Sequence, residues 1–162
     1  MHKALDSIRF RGFVGSDVEL LGAWLQGSGL TFPGGVAVST WGRRLSEDPL
    51  IICQAACEAD ARVVGFYRLD LAPDRSAEIT IIVDPTRRRQ GVATAMMSEI
   101  LAVARREGIS RLLAVIDEGN RGGKELFLGF DFEARAEQIS QYQYFERMIH
   151  SSQSQPPLEV TD

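Results

Sequence analysis

The chain has 162 residues, 44% of them hydrophobic and 25% charged, with a formal net charge of −4. That size and composition suit one soluble domain with a sizeable core, and the acidic balance argues against a general nucleic-acid binder, which normally shows a basic surface. No apolar run approaches the ~20 residues of a membrane span, and the opening MHKALDSIRF lacks the apolar centre of a signal peptide, so a cytoplasmic location without a membrane partner is expected.

Residues 7–13 predict a first strand, with Ile8 and Phe10 on one face. Asp17 is placed to cap a helix whose apolar positions are Val18, Leu21, Trp24 and Leu25. Residues 27–35, GSGLTFPGG, form a connector, and residues 36–45 predict a second helix around Trp41. Residues 50–58 and 62–71 predict two strands joined by a tight turn at residues 59–61, and a turn at 72–77 leads into a third. Cys53 and Cys57 fall on one face of their strand, which favours two reduced, buried thiols. Neither has a second Cys or His pair nearby to complete a zinc site, so no metal is expected.

The stretch from Glu78 to Ala104 carries the strongest signal. Ile79, Ile81 and Val83 alternate with Glu78, Thr80 and Ile82, and both faces hold isoleucine, which predicts an interior strand covered on both sides. Asp84-Pro85 ends it, because proline cannot donate to a ladder. A helix follows with Ala93, Met96, Met97, Ile100, Leu101 and Ala104 on one side, and Gly108 stands where a helix end favours positive φ. Between strand and helix, Gly91 and Ala93 let a ligand approach the backbone. Free N–H groups and the helix dipole there attract anions, and Arg87, Arg88 and Arg89 add charge. These features predict a phosphate or pyrophosphate seat.

Residues 111–117 predict a buried strand, residues 120–128 a short helix weakened by Gly122 and Gly123, and residues 130–137 and 142–149 a closing pair of strands. The expected fold is α/β, a single mixed, mainly antiparallel central sheet flanked by helices. The domain would span residues 1–150, with a flexible C-terminal tail at 151–162.

The pattern Arg88-x-x-Gly91-x-Ala93, set between a strand ending Val83-Asp84-Pro85 and an amphipathic helix, resembles the coenzyme A pyrophosphate motif of the GNAT acetyltransferase superfamily. Asn120, then Leu126-Phe127 and Gly129-Phe130, is similar to that family's later segment, and the resemblance extends over residues 8–149. It implies a GNAT-like acyl-CoA N-acyltransferase fold, acetyl-CoA as co-substrate, and acetyl transfer to a primary amine by direct attack in a ternary complex. The acceptor would be a small-molecule or peptide amine, and a homodimer follows by analogy. By the same resemblance Ile81, Ile82 and Val83 would offer backbone groups to the pantetheine arm. Arg88, Arg89, Gln90, Gly91, Val92, Ala93 and Thr94 would cradle the pyrophosphate, and Asn120 and Phe127 would complete the cofactor contacts. Trp24, Phe32 and Trp41 would lie near the acceptor pocket or serve as plain packing.

Amine acetylation also needs the acceptor ammonium to lose a proton and the departing thiolate to be stabilised. Glu78 is the candidate base, because some GNAT enzymes carry a glutamate near this place on the equivalent strand. Others carry one on the next strand, where this chain has Val115; Asp117 and Glu118 lie just beyond as weaker alternatives. The tyrosine acid of many relatives, seven residues after the asparagine, is replaced by Phe127, which cannot donate a proton. A thiolate with a pKa of about 8.5 is a tolerable leaving group without one, and water, Tyr142 or Tyr144 could substitute. Phe127 and Val115 also motivate an alternative, a non-catalytic acyl-CoA-binding regulatory module of the same fold.

Overall fold

The structure is a computed structural model, and it describes residues 7–25, 44–45 and 47–150. Residues 36–43 of the helix expected at 36–45 lie outside those residues, as do the connector at 27–35, Phe32, Trp41 and the tail at 151–162. The elements are β1 (Arg9–Gly12), α1 (Asp17–Leu25), β2 (Ile51–Cys57), β3 (Val63–Leu71), β4 (Ser76–Val83), α2 (Val92–Arg106), β5 (Arg111–Asp117), α3 (Arg121–Gly129), β6 (Glu133–Ile139) and β7 (Tyr142–Met148). Among the described residues the strands and helices fall near where expected, with ends shifted by a few residues.

All the strands join one sheet in the order β1-β2-β3-β4-β5-β7-β6. β4 and β5 are its parallel pair, and α2 makes the crossover between them, because parallel neighbours cannot be joined by a tight turn. The other pairs are antiparallel. The fold is therefore the expected single mixed sheet.

Two apolar layers hold it. On one face α2 lays Met96, Met97, Ile100 and Ala104 against Tyr67, Leu69, Ala77 and Ile79. On the other, Leu21 and Leu25 of α1 cover Cys53, Ala55 and Phe66, with the Phe13 ring edge-on to Phe66 at 5.5 Å. Each large side chain buried in this way contributes about 1.5–3 kcal/mol. Cys53 and Cys57 are both buried and unbridged on the α1 side, as their spacing predicts. Burial pushes the Cys53 thiol up to about 12, so it remains an inert packing group.

Asp17 does not cap its helix from in front. Its carboxylate instead accepts the Val14 N–H behind it at 2.9 Å and holds the Arg11 guanidinium at 2.8 and 2.9 Å, which ties the start of α1 to β1. At the far end of α2, Gly108 takes the positive φ of 70° expected of it.

α2 sits close to the sheet because β3 carries a glycine beneath it. A Cβ on Gly65 would meet the Met96 methyl at 2.9 Å and the Ile82 carbonyl oxygen at 3.1 Å. The methionine tip can move but the β4 backbone cannot. Gly65→Val is therefore expected to lower stability by about 1–3 kcal/mol, read as a lower midpoint in urea unfolding with an unchanged slope.

The expectation that β4 is covered on both sides holds only in part. Ala77 and Ile79 are buried under α2, whereas Glu78 and Thr80 are exposed and Ile81, Ile82 and Val83 are half-buried. Beside Ile81, Ile82 and Val83 the sheet also opens.

Candidate functional site

β4 and β5 are hydrogen-bonded over one short run, Ser76 with Arg111, Ala77 with Leu112 and Glu78 with Leu113. Beyond it β4 continues to Val83 while still paired with β3, and β5 continues to Asp117 while still paired with β7. The strands therefore separate above Glu78. The β5-facing backbone groups of Ile81 and Val83 lie beyond the last paired position and have no ladder partner among the described residues. Unpaired backbone groups in a half-buried strand are costly unless water or a ligand meets them. They suit an extended chain bearing amides, laid along β4 as an added strand would be.

The top of this opening is the turn into α2. The Asp84 carboxylate accepts the Thr86 N–H at 2.9 Å and its hydroxyl at 2.8 Å, and Arg87 N–H bonds back to the Asp84 carbonyl at 2.8 Å. Arg88 is then extended, Arg89 turns to φ 63° and Gly91 to φ 85°. Gly91 precedes the helix without a side-chain cap, and the first intrahelical bond runs from Ala95 N–H to the Gly91 carbonyl at 3.0 Å. The N–H groups of Val92, Ala93 and Thr94 have no acceptor among the described residues. Together, at the positive end of a helix of 15 residues, they are groups that suit an anion.

Arg88, Arg89 and Gln90 are exposed around these groups. Arg87 is not part of that charge. Its guanidinium is held by Glu58 at 2.7 Å, so two of the three arginines, not all three, stand exposed at the turn.

At the base of the opening lies Glu78, between Asp70 of β3 and Leu113 of β5 in register. Arg68 grips Asp70 through Nη2 at 2.6 Å and Nε at 2.9 Å. Although Glu78 as a whole is exposed, partial loss of water around its carboxylate, and then repulsion from Asp70, push its pKa up from the ordinary value. The Arg68 charge opposes them. A carboxylate so shifted is a better proton acceptor than one in bulk water.

The weaker alternatives are engaged elsewhere. Asp117 accepts the Gly119 N–H at 2.8 Å, and Glu118 accepts the Gln138 amide, both at the loop beyond β5. Tyr144 stands opposite Val115 on the face that bears Glu78 and is half-buried, while Tyr142 is exposed at the end of β7. Trp24 packs its ring against Phe66 at 5.3 Å, a packing role.

Asn120 caps α3, its side-chain oxygen accepting the Gly123 N–H at 2.9 Å. Phe127, expected among the cofactor contacts, has its ring 6% exposed and edge-on to Phe132 at 5.0 Å in the core beneath α3. A ring at that position of an amphipathic helix is drawn inward by burial, and Phe132, just before β6, is its partner.

Asp70, Arg68 and Glu58 are missing from the sequence-based set. The hairpin turn could have located Asp70, since Ala72 N–H bonds to the Ser76 carbonyl and counting outward pairs position 70 with 78. Glu58 lies 29 residues from Arg87 and gives no local signal. Among the described residues no three His, Cys, Asp or Glu side chains are placed to hold a metal ion, and no helix is long and apolar enough to cross a membrane.

A family model described as the acetyltransferase (GNAT) family matches residues 29–130. Comparison with curated proteins gave no match. Among solved structures, the chain is similar to a Vibrio cholerae spermidine N-acetyltransferase in complex with CoA and spermine, with TM-score 0.77 and 13% identity, over 89% of this chain and 96% of that one. It is also similar to a dodecameric spermidine N-acetyltransferase from Vibrio cholerae, with TM-score 0.76 and 12% identity, over 88% and 94%. At these identities the likeness is one of fold.

Proposed function

Because the chain belongs to the GNAT acetyltransferase family, we propose that it moves an acetyl group from acetyl-CoA to a primary amine, with the opening between β4 and β5 as its cofactor cleft and Glu78 as its general base. The observation that carries this reading is the parallel pairing that stops at Glu78 and Leu113 while both strands run on.

The chain's own groups fit acetyl-CoA. The uncapped N–H groups of Val92, Ala93 and Thr94, with Gly91 and the exposed Arg88, Arg89 and Gln90, suit a pyrophosphate. The unpaired edge of Ile81, Ile82 and Val83 suits the amides of a pantetheine arm. Asn120 keeps its side-chain NH2 available while its oxygen serves the helix cap. Acetyl-CoA supplies the activated acetyl thioester. Glu78, at the foot of the cleft, takes a proton from the acceptor ammonium, directly or through one water, so that the amine nitrogen can attack.

For the acceptor, the reading favours a cationic amine. Asp70 and Glu78 share the face at the cleft foot, and the similar fold belongs to spermidine N-acetyltransferases. The reading also takes residues 1–150 as the catalytic domain, a cytoplasmic location supported by the two buried free thiols, and a homodimer by analogy with oligomeric relatives of this fold.

Calorimetric titration with acetyl-CoA, followed by release of CoA thiol across a panel of amines headed by spermidine, tests it. Micromolar binding with turnover on at least one amine is expected. Binding without turnover on any amine would instead favour a regulatory module that keeps the cleft. No binding at millimolar acetyl-CoA would remove the cleft assignment itself.

A further inference from the structure

The turn that forms the anion seat is not held in shape by its own sequence. Arg89 stands at φ 63°, a left-handed conformation that costs a residue other than glycine about 1–2 kcal/mol. Gln90 and Val92 border a hollow of about 280 Å³, so the core does not fully back the turn on that side. Ser7, Ile8 and Glu58 lie across the same hollow.

One side-chain link crosses from the β2–β3 turn to this segment. Arg87 Nη1 meets Glu58 Oε1 at 2.7 Å and Nη2 meets Oε2 at 3.4 Å, both side chains being about one-quarter to one-third exposed. Two parallel contacts of a guanidinium on a carboxylate fix orientation as well as distance. Glu58 is itself anchored, since its N–H donates to the Arg62 carbonyl at 2.9 Å and its carbonyl accepts the Ala61 N–H at 2.9 Å. Arg87 is followed directly by Arg88, the first residue of the seat.

We propose that Glu58 is a positioning residue for the cofactor: through Arg87 it clamps the β4–α2 turn in the shape that presents the helix N–H groups to a pyrophosphate. Glu58 touches no substrate in this role. The inference rests on the turn being the cofactor seat.

Two directions of effect separate this clamp from its opposite. If Arg87 served as a phosphate ligand restrained by Glu58, removing the carboxylate would free it and tighten binding. If Glu58 clamps the turn, removing the carboxylate loosens the seat. Calorimetry with CoA as the probe, on the full chain, is therefore expected to show Glu58→Gln weakening binding about two- to fivefold, the range of a partly exposed ion pair. The KM for acetyl-CoA should rise by a similar factor while kcat at saturating acetyl-CoA stays unchanged, and Arg87→Gln should do the same. The double variant should be no worse than either single one, and the exchanged pair Glu58→Arg with Arg87→Glu should recover part of the loss.

Unchanged or tighter CoA binding in Glu58→Gln overturns the clamp, as do additive losses in the double variant. Gly91→Val keeps the seat itself under test. If that variant still binds CoA normally, the turn is not the seat and the failure belongs to the cleft assignment. A thermal melt of each variant distinguishes a loosened turn, which leaves the midpoint near that of the parent, from a general loss of fold.

Discussion

Replacing Gly91 by valine is expected to weaken CoA binding by at least about a hundredfold, with the fold intact. Two effects act together. Gly91 stands at φ 85° immediately before the helix, where a β-branched residue costs at least about 1–2 kcal/mol. The chain can relieve that cost by rotating the turn, which carries the N–H groups of Val92, Ala93 and Thr94 out of line. An added side chain also stands where a phosphate would approach the backbone. Losing the aligned donors and the close approach together corresponds to about 3 kcal/mol, hence the hundredfold. Calorimetric titration with CoA measures it, and circular dichroism confirms that α2 persists. Binding within about threefold of the parent would show that the turn does not seat the cofactor.

Glu78→Gln carries the second large effect. As general base, Glu78 should account for about 10²–10⁴ of the rate, so kcat should fall by that factor while CoA affinity is unchanged. In the parent, kcat/KM should rise with pH through the elevated pKa of Glu78, because the base works deprotonated. Asp70, directly opposite, pushes that pKa up and Arg68 pulls it down. Asp70→Asn should accordingly move the acid limb to lower pH.

The same shift makes an opposite prediction for stability. A carboxylate whose pKa is higher folded than unfolded destabilises the fold once the pH exceeds its unfolded value of about 4.3, and has no such effect well below it. Glu78→Gln should therefore melt higher than the parent at about pH 7 and close to it at about pH 3. Loss of turnover together with a raised melting point marks a functional carboxylate. Loss of turnover with a lowered one would mean that Glu78 is a structural residue instead. Full activity in the variant would pass the role of base to another group on that face.

How far this protein can be read before folding depends on the range of the interactions concerned. The strand at β4, the helix at α2, the turn between them and the glycine beyond are written in local patterns, because periodicity, capping and φ preferences act over a few residues. Gly108 adopts the positive φ that its position announces, and Met96, Met97 and Ile100 are buried as their spacing demands. The acidic partner of Glu78 was within reach too, once the turn symmetry pairs Asp70 with it. Phe127 shows where local reading stops. Its motif position names no packing partner, and the ring meets Phe132 edge-on at 5.0 Å.

Composition, period and spacing by themselves determined the described elements, their order, the single mixed sheet and the uncapped start of α2 after Gly91. Only the tertiary structure decided where β4 and β5 part and that Arg87 belongs to Glu58. The physical reason is that strand pairing and ion pairs join residues far apart in the chain. Their formation depends on the closing of the whole sheet, which no window of neighbouring residues encodes.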